Sequence, residues 1–391
     1  MNLLFDAHLQ EVHNSFTSGD TALGLRRLTD CAIETQNPEI FRDTLSYYEW
    51  LEDTNNTDEA ANTARAFALL DKIRHVGISA AERPAEKILS INNVGKTYRK
   101  SGFKIKDLSF GLHEKQIVGL VGENGNGKTT LLRLLAAELL PDTGSIEYHF
   151  AQKHKEQYEL KTKLIYIEQR IPRWHGTLMD NLRFVLPFYG IKGDDGHLWA
   201  DIMIARLGLR PYRHLTWNRI SSGYRTRFEL AKTLLRQPKI LLLDEPLANL
   251  DIVSQQTILQ DLKFMANSIT MPFGMILSSQ HIYEVEKVSN DIIFIKNGIP
   301  QYQNNAPAEV EQTAEKSALI IELEINDNRD ALAAAFTSLP LQKIQYNGGV
   351  YLLHFDEGTK TSAVLTALAN KQLEPNYFRN ISQSSRRFFI N

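Results

Sequence analysis

The stretch QIVGLVGENGNGKTTLLRLLAAEL, residues 116–139, decides the fold. It joins an apolar, strand-like run to a helix-like run through a glycine-rich segment that fits the pattern G-x-x-x-x-G-K-[ST]. The glycines let the backbone turn tightly so that its N–H groups face a phosphate, and the following helix adds partial positive charge at the same place. In this pattern Lys128 neutralises the β and γ phosphates and the Thr129 hydroxyl is placed to bind Mg²⁺. The predicted phosphate-binding residues are Gly122, Glu123, Asn124, Gly125, Asn126, Gly127, Lys128, Thr129 and Thr130.

The segments around this loop alternate between strand-like and helix-like patterns. The strand-like runs are ILSINNV, QIVGLVG, KLIYIEQ, KILLLDEP, FGMILSS and DIIFIKNG. Such alternation predicts an α/β fold with a mostly parallel sheet wrapped by helices.

The two ends of the chain have different patterns. Residues 1–85 have a helical pattern, with Asp20 as a predicted cap and Pro38 in a predicted first turn. Residues 317–391 have the pattern of a small α+β domain built from two βαβ-like halves. We therefore predict three domains: an all-α domain over 1–85, an α/β domain over 88–303 and an α+β domain over 317–391.

Two adjacent carboxylates, Asp244 and Glu245, follow the apolar run KILLL. They are predicted to lie at the carboxyl edge of the sheet, where open α/β sheets bind ligands. Asp244 would hold Mg²⁺ through water, and Glu245 could polarise an attacking water as a general base. The alternative for this pair is an ordinary acidic turn at the end of a strand.

Composition narrows the class of protein further. The formal net charge is −2, so no excess of positive charge attracts a phosphate backbone, and we expect no nucleic-acid partner. The single cysteine cannot form an internal disulfide, and the first residues have no signal-peptide pattern. No window contains the roughly 18 to 20 apolar residues that a membrane-spanning helix needs. The sequence thus predicts a cytoplasmic chain, and any function at a membrane would need a partner chain.

Taken together, the motifs over residues 88–303 resemble those of an ATP-binding cassette (ABC) ATPase. Tyr98 lies 24 residues before Gly122 and matches the aromatic residue that stacks on adenine in that family. Gln169, at the end of KLIYIEQ, matches the glutamine that senses Mg²⁺ and faces the transport partner. HGTLMDNLRF, which follows it, resembles the entry to the family's helical subdomain.

The stretch ISSGYRTR, residues 220–227, resembles the signature loop of the same family, which reads LSGGQ. Ser221 lies 23 residues before Asp244, which is the family's usual interval. Ser221 and Gly223 keep the hydroxyl and the backbone N–H groups of the loop, whereas Ser222 stands in place of a glycine. This replacement would matter only if the position required a positive φ. In LANLD, Asp251 matches the residue that meets the opposite subunit.

A second departure from the family lies in MILSSQHIYEVE. The family places a histidine directly after this strand, where it reaches the γ-phosphate. Here Gln280 occupies the aligned position and His281 follows one residue later. Gln280 could take the role, since glutamine donates hydrogen bonds without carrying charge, or a small shift could present His281. His281 could alternatively only cap or pack at the start of a helix.

The resemblance implies an ATP-hydrolysing subunit of an ABC transporter, with ATP and Mg²⁺ as cofactors. The family's signature loop acts on a nucleotide held by another copy, so the resemblance implies a head-to-tail homodimer or heterodimer of two cassettes. It also implies a transmembrane permease partner, a peripheral location on the inner face of the cell membrane and, from SSQHIYEVEKVSNDIIFIKNG, export. One alternative is a soluble ABC protein acting on ribosomes or DNA. The other is a nucleotide-gated interaction module with little hydrolysis.

Overall fold

The computed structural model describes residues 2–53, 58–79, 83–100, 102–150, 156–191, 193–248, 250–280, 285–304, 319–347 and 349–382. The chain divides into two compact units. The first contains residues 1–280 and 288–302, and the second contains residues 281–287 and 303–391.

Four helices at the amino end form what we call the N-terminal bundle. They are α1 (Leu3–Thr17), α2 (Thr21–Glu34), α3 (Pro38–Glu52) and α4 (Glu59–Val76). The predicted starts of two of them are confirmed, because Asp20 accepts the N–H of Leu23 at the start of α2 and Pro38 is the first residue of α3. The core of the bundle includes Leu9 and Leu28, and it also receives Ile269 from outside the bundle. Burying one such side chain stabilises a fold by about 1.5 to 3 kcal/mol.

The centre of the first unit is a six-stranded sheet with the spatial order β5-β6-β7-β3-β8-β9. The pairs β5 with β6, β6 with β7, β7 with β3 and β3 with β8 are all parallel, as predicted for an α/β fold. The sequences of these strands are near-continuous apolar runs, as expected when both faces of a sheet are covered. The elements of this layer are β3 (Ile117–Val121), α5 (Lys128–Leu135), α6 (Glu156–Lys163), β5 (Leu164–Ile167), β6 (Ile240–Leu243), α10 (Ile252–Ala266), β7 (Gly274–Ser279), β8 (Asp291–Lys296) and β9 (Ile299–Asn304).

A second, three-stranded sheet packs on the same core. Its strands β1 (Lys87–Thr97), β2 (Lys104–His113) and β4 (Thr143–Tyr148) pair antiparallel in the order β2-β1-β4. The run ILSINNV therefore forms a strand, but it lies in this antiparallel sheet and not in the parallel one.

Three helices lie between β5 and β6 in the chain and form what we call the helical subdomain. They are α7 (Leu178–Val185), α8 (Gly193–Arg206) and α9 (Ser222–Leu234). Thr177 and Asp180 form a reciprocal capping box that fixes the start of α7. Short 3₁₀ turns at Leu186–Tyr189, Arg210–Tyr212 and Trp217–Arg219 connect the helices.

The described part of the second unit is a four-stranded antiparallel sheet with two helices. Its elements are β10 (Leu319–Glu324), α11 (Arg329–Ala335), β11 (Leu341–Asn347), β12 (Val350–Phe355), α12 (Thr361–Asn370) and β13 (Tyr377–Asn380). The spatial order β11-β12-β10-β13 is that of two interleaved βαβ halves, as predicted. The single run KIQYNGGVYLLHF divides into β11 and β12 around Gly349, whose φ of +101° suits a hairpin turn. The predicted start of this domain, residue 317, lies outside the described residues.

Candidate functional site

The glycine-rich loop follows β3 at the carboxyl edge of the parallel sheet. Gly127 adopts a φ of +102° immediately before α5, a conformation that a residue with a side chain rarely adopts. At Gly122 a Cβ atom would lie 2.4 Å from the carbonyl oxygen of Ile295, so the close approach of the loop to β8 requires glycine. The loop therefore presents backbone N–H groups and a helix N-terminus at one place, which is the arrangement that binds phosphate.

Lys128 is the first residue of α5, and its side chain turns back over the loop. Its Nζ donates to the carbonyl oxygen of Gly122 at 2.7 Å and lies 3.1 Å from Oε1 of Glu245. The side chain is only 6% exposed. The structure thus fixes one positive charge directly beside the backbone of the phosphate-binding loop.

Asp244 is the central acceptor of the site. Its Oδ2 accepts from the Thr129 hydroxyl at 2.7 Å and from the Tyr166 hydroxyl at 3.2 Å, and its Oδ1 accepts from the Ser278 hydroxyl at 2.7 Å. These groups come from α5, β5, β6 and β7, whose ends meet because the strands are parallel. Mg²⁺ takes oxygen ligands and retains several waters, so the Thr129 hydroxyl and the Asp244 carboxylate fit this cation.

Glu245 is held in an uncommon backbone conformation, with a φ of +47°. Its N–H donates to the Ser278 hydroxyl at 2.9 Å, and its Oε2 accepts the N–H of Gln280 at 3.3 Å. A residue of this type with a positive φ costs about 1 to 3 kcal/mol and is found chiefly at functional sites. The conformation places the carboxylate between Lys128 and the end of β7.

Two residues of this network, Ser278 and Tyr166, were not predicted from the sequence. Ser278 connects both carboxylates, while burial, followed by the nearby Asp244 carboxylate, raises the pKa of the Tyr166 hydroxyl, so that it stays protonated and donates. Their sequence signal is weak because a single serine or tyrosine within a strand-like run does not by itself indicate a functional site. Their position at or near the ends of strands that neighbour β6 could have identified them.

Tyr98, the predicted adenine-stacking residue, lies in the turn between β1 and β2 and is 37% exposed. Its N–H donates to the carbonyl oxygen of Phe103 at 2.9 Å. The Phe103 ring reaches the glycine-rich loop, since a Cβ on Gly127 would lie 2.7 Å from its Cζ. Phe103 is therefore a second aromatic residue beside the loop, and the motif comparison missed it.

The two candidate glutamines lie at the same edge of the sheet. Gln169 is exposed two residues beyond β5, and Gln280 is exposed directly after β7. Of these, the backbone of Gln280 contacts Glu245. His281, the other candidate for the position after β7, lies outside the described residues.

The signature-like loop begins helix α9. Ser221 is the N-cap, and its hydroxyl accepts the N–H of Tyr224 at 3.4 Å. Ser222 is the first helical residue and does not have a positive φ, so a side chain is tolerated where the family has glycine. Gly223 faces the loop after Glu245, because a Cβ there would lie 3.1 Å from Cδ2 of Leu250.

Asp251 caps helix α10 one residue after Leu250. Its carboxylate accepts the N–H of Ser254 at 2.9 Å and the Ser254 hydroxyl at 2.6 Å, and these bonds lower its pKa. Asp251 and Ser221 are both exposed. The structure thus brings the phosphate loop and the two strand-end carboxylates together. The signature-like loop and the segment before α10 contact each other at a second place on the surface.

These features define a phosphate-loop nucleotide-binding protein with a helical subdomain inserted between two strands of its parallel sheet. The sequence profile of the ABC transporter family matches residues 105–248. An uncharacterized ABC transporter ATP-binding protein of Bacillus subtilis, YxlF, is 30% identical over 213 residues, which cover 54% of this chain and 68% of YxlF. The chain therefore belongs to the ABC transporter ATP-binding proteins. The family resemblance of its motifs is confirmed.

Other similarities are of comparable strength. The spermidine/putrescine import ATP-binding protein PotA of Mycoplasma mycoides is 30% identical over 225 residues, or 57% of this chain, and the chain spans 62% of the length of that relative. Among solved structures, CbiO1 of Clostridium perfringens, part of the ABC transporter complex CbiONQ, matches with a TM-score of 0.50 and 21% identity. That match covers 56% of this chain and 89% of CbiO1. It confirms the predicted cassette fold.

Proposed function

We propose that this chain binds ATP with Mg²⁺ at residues 122–130 and hydrolyses it, and that it is the energy-supplying subunit of a membrane transporter. The observation that carries the proposal is the convergence of Lys128, Thr129, Asp244 and Glu245 at one sheet edge. Each of these side chains contacts another within 3.1 Å. A sheet edge with a glycine-rich loop, one fixed cation and two carboxylates suits a nucleoside triphosphate better than an uncharged ligand.

The chemistry assigned to each residue follows from its position. The loop N–H groups and Lys128 neutralise the phosphates, and the Thr129 hydroxyl and Asp244 hold Mg²⁺, which adds further positive charge when bound. Glu245 accepts a proton from the attacking water as general base, and Ser278 and the N–H of Gln280 fix its orientation. We assign the γ-phosphate contact after β7 to the side chain of Gln280 or of His281, adenine stacking to Tyr98 and a contact with Mg²⁺ and the transport partner to Gln169.

A second part of the proposal is that two copies, or this chain and a related cassette, pair head to tail. Ser221 and Asp251 are exposed, and the neighbouring Ile252 and Val253 are 71% and 72% exposed. Adjacent exposed apolar residues beside polar groups are typical of a surface that a partner covers. In the pair, the N-terminus of α9 from one copy would meet the phosphates held by the loop of the other copy.

The transport role requires a partner chain. Among the helices of the described residues, none is long and apolar enough to cross a membrane. We propose that a separate permease binds the exposed surface around Gln169 and holds the chain at the inner face of the membrane. We further propose that transport is export, on the basis of the sequence after β7 and the α+β domain that follows the cassette.

Two substitutions test the proposal. Lys128→Ala should reduce ATP hydrolysis by roughly 100- to 1,000-fold, the usual loss when one fixed electrostatic group is removed. Glu245→Gln should keep ATP bound and yield a dimer that light scattering detects in saturating ATP and Mg²⁺. The matched controls are Lys263→Ala, an exposed lysine on α10, and Glu168→Gln, an exposed carboxylate after β5.

The two readouts separate the parts of the proposal. Hydrolysis by Lys128→Ala at the rate of the parent chain would reject the phosphate loop. A Glu245→Gln chain that remains monomeric with ATP bound would reject the pairing. Both controls should behave as the parent chain does.

A further inference from the structure

The N-terminal bundle contacts both parts of the cassette, and one of its contacts is with the ATPase core. The Glu34 carboxylate accepts the N–H of Ile269 at 2.8 Å, the N–H of Thr270 at 2.9 Å and the Thr270 hydroxyl at 2.7 Å. These residues lie in the segment between α10 and β7. Three hydrogen bonds to one carboxylate fix the end of α2 to the layer that carries the nucleotide site.

Another contact is with the helical subdomain. Glu52, the last residue of α3, accepts from Arg210 in a bidentate pair, with 2.7 Å from Nε to Oε1 and 3.1 Å from Nη2 to Oε2. Arg210 lies in the 3₁₀ turn between α8 and α9, and its side chain is 10% exposed. The planar fork of arginine gives such a pair a defined orientation. The end of α3 therefore sets the position of this turn.

The same 3₁₀ turn contacts the signature-like loop. Tyr212 donates its hydroxyl hydrogen to the Tyr224 hydroxyl at 2.7 Å, and the two rings lie 3.9 Å apart between centroids. Tyr224 stands where the LSGGQ pattern has glutamine, and its N–H donates to the capping hydroxyl of Ser221. Glu52 thus contacts Arg210, Arg210 and Tyr212 are the first and last residues of one 3₁₀ turn, and Tyr212 contacts Tyr224 at the start of α9. We call these four residues the relay.

We propose that the N-terminal bundle positions the signature loop through the relay, and that it thereby controls how tightly two ATP-bound copies pair, without affecting how one copy binds ATP. This inference rests on the proposed function. Tyr212 and Tyr224 act here as positioning residues, because their contacts orient the helix whose N-terminus meets the partner's nucleotide. A ligand or protein that moves the bundle would change pairing from a site distant from the nucleotide.

The experiment uses the full chain in the Glu245→Gln background, with Tyr212→Phe and Glu52→Gln as test variants. Tyr212→Phe removes one hydroxyl, and Glu52→Gln removes the charge that orients Arg210. Binding of a fluorescent ATP analogue is measured at a protein concentration too low for pairing, and dimer formation is measured by analytical ultracentrifugation in ATP and Mg²⁺. Each variant should weaken dimer formation by about two- to tenfold, as expected for one lost hydrogen bond per contact, with nucleotide affinity unchanged.

The controls disturb contacts of the same kind inside the bundle. Tyr47→Phe removes a hydroxyl that bonds to Asn62, and Asp43→Asn removes an ion pair with Lys72 at 2.6 Å. Both controls should pair like the Glu245→Gln parent. The double variant Glu52→Gln with Tyr212→Phe should weaken pairing by less than the product of the two single effects, because both changes interrupt the same relay.

The possible outcomes are distinct. Normal pairing by both test variants would overturn the relay while leaving the proposed function intact. Equal loss of nucleotide binding and of pairing would also overturn it, since that is the result of general structural damage. A Glu245→Gln parent that binds no ATP would reject the proposed function itself and the relay with it.

Discussion

Two clusters in this chain each place one basic side chain near two carboxylates, and they differ in how many of the charges have a partner of opposite sign. At the nucleotide site, Lys128 faces Glu245 beside a backbone with positive φ. At the junction of the bundle and the cassette, Arg206 is fully buried and lies between Asp30 and Asp261. Its Nη2 donates to Asp30 at 2.9 Å and to Asp261 at 3.1 Å.

The two clusters show that the pairing of buried charges distinguishes a structural site from a site that can carry out chemistry. At Arg206, burial acts to lower the arginine pKa, but the two carboxylates outweigh it and raise the pKa, so the charge is permanent. Arg27 adds a further contact to Asp30 at 3.2 Å. At the nucleotide site the carboxylates instead lie at the open end of parallel strands, next to backbone N–H groups that suit an incoming anion. The first arrangement pairs its charges inside the fold, where losing one partner is costly, and the second leaves its charged groups open to a ligand.

Of the changes that distinguish the two clusters, Arg206→Met is expected to have the largest effect on stability. The change leaves Asp30 and Asp261 buried without their cation, which should lower the free energy of unfolding by about 3 to 5 kcal/mol. Urea unfolding followed by circular dichroism measures this. If Asp30→Asn and Asp261→Asn are added to Arg206→Met, much of the stability should return, because no unpaired charge remains. A loss below about 1 kcal/mol for the single variant would contradict a structural role for the cluster.

Ser278→Ala should have an intermediate effect and should act on the nucleotide site. The change removes the hydroxyl that donates to Asp244 and accepts the N–H of Glu245, so two buried polar groups lose a partner. We expect the free energy of unfolding to fall by about 1 to 3 kcal/mol and the ATPase rate to fall with it. Thr44→Val, which removes a buried hydroxyl bonded within α3, is the control and should leave the ATPase rate unchanged. Unchanged hydrolysis by Ser278→Ala would show that Glu245 does not need this support.

The smallest expected effect is the pH dependence of the stability contributed by the ion pair between Glu52 and Arg210. The hydrogen bond from Arg210 holds the pKa of Glu52 below its ordinary value of 4.5. A pKa that is lower in the folded state gives stability that is present above the unfolded pKa and is lost as the pH falls through the folded pKa. The melting-temperature difference between the parent chain and Glu52→Gln should therefore be largest near neutral pH and shrink below about pH 4.5. Because the Glu52 side chain is 41% exposed, the difference corresponds to about 0 to 1 kcal/mol. A difference that grew on acidification would contradict the assigned pair.

Much of the nucleotide site could be predicted from the sequence because its signals are local. The loop between β3 and α5 and the pair Asp244 and Glu245 each depend on residues a few positions apart, as does the predicted cap of α2 outside the site. The φ of Ser222 could not be predicted, although the family comparison showed that it was the decisive quantity. Contacts between distant positions gave no local signal at all: Ser278 and Asp244 are 34 residues apart, and Arg206 and Asp30 are 176 residues apart. The helical pattern of residues 1–85 likewise did not indicate that Asp30 and Glu34 bond to the cassette.

The buried arginine at position 206 has a consequence for how this chain can vary over time. Arg206 of the cassette is matched in part by Asp30 of the bundle, so replacing the bundle by another helical segment would remove one of its two carboxylate partners. A substitution that removes the charge at only one of positions 30, 206 and 261 leaves a buried charge unmatched, so changes at these positions are expected to depend on one another. These three residues therefore couple the sequence of the bundle to the sequence of the cassette, although they lie far apart along the chain.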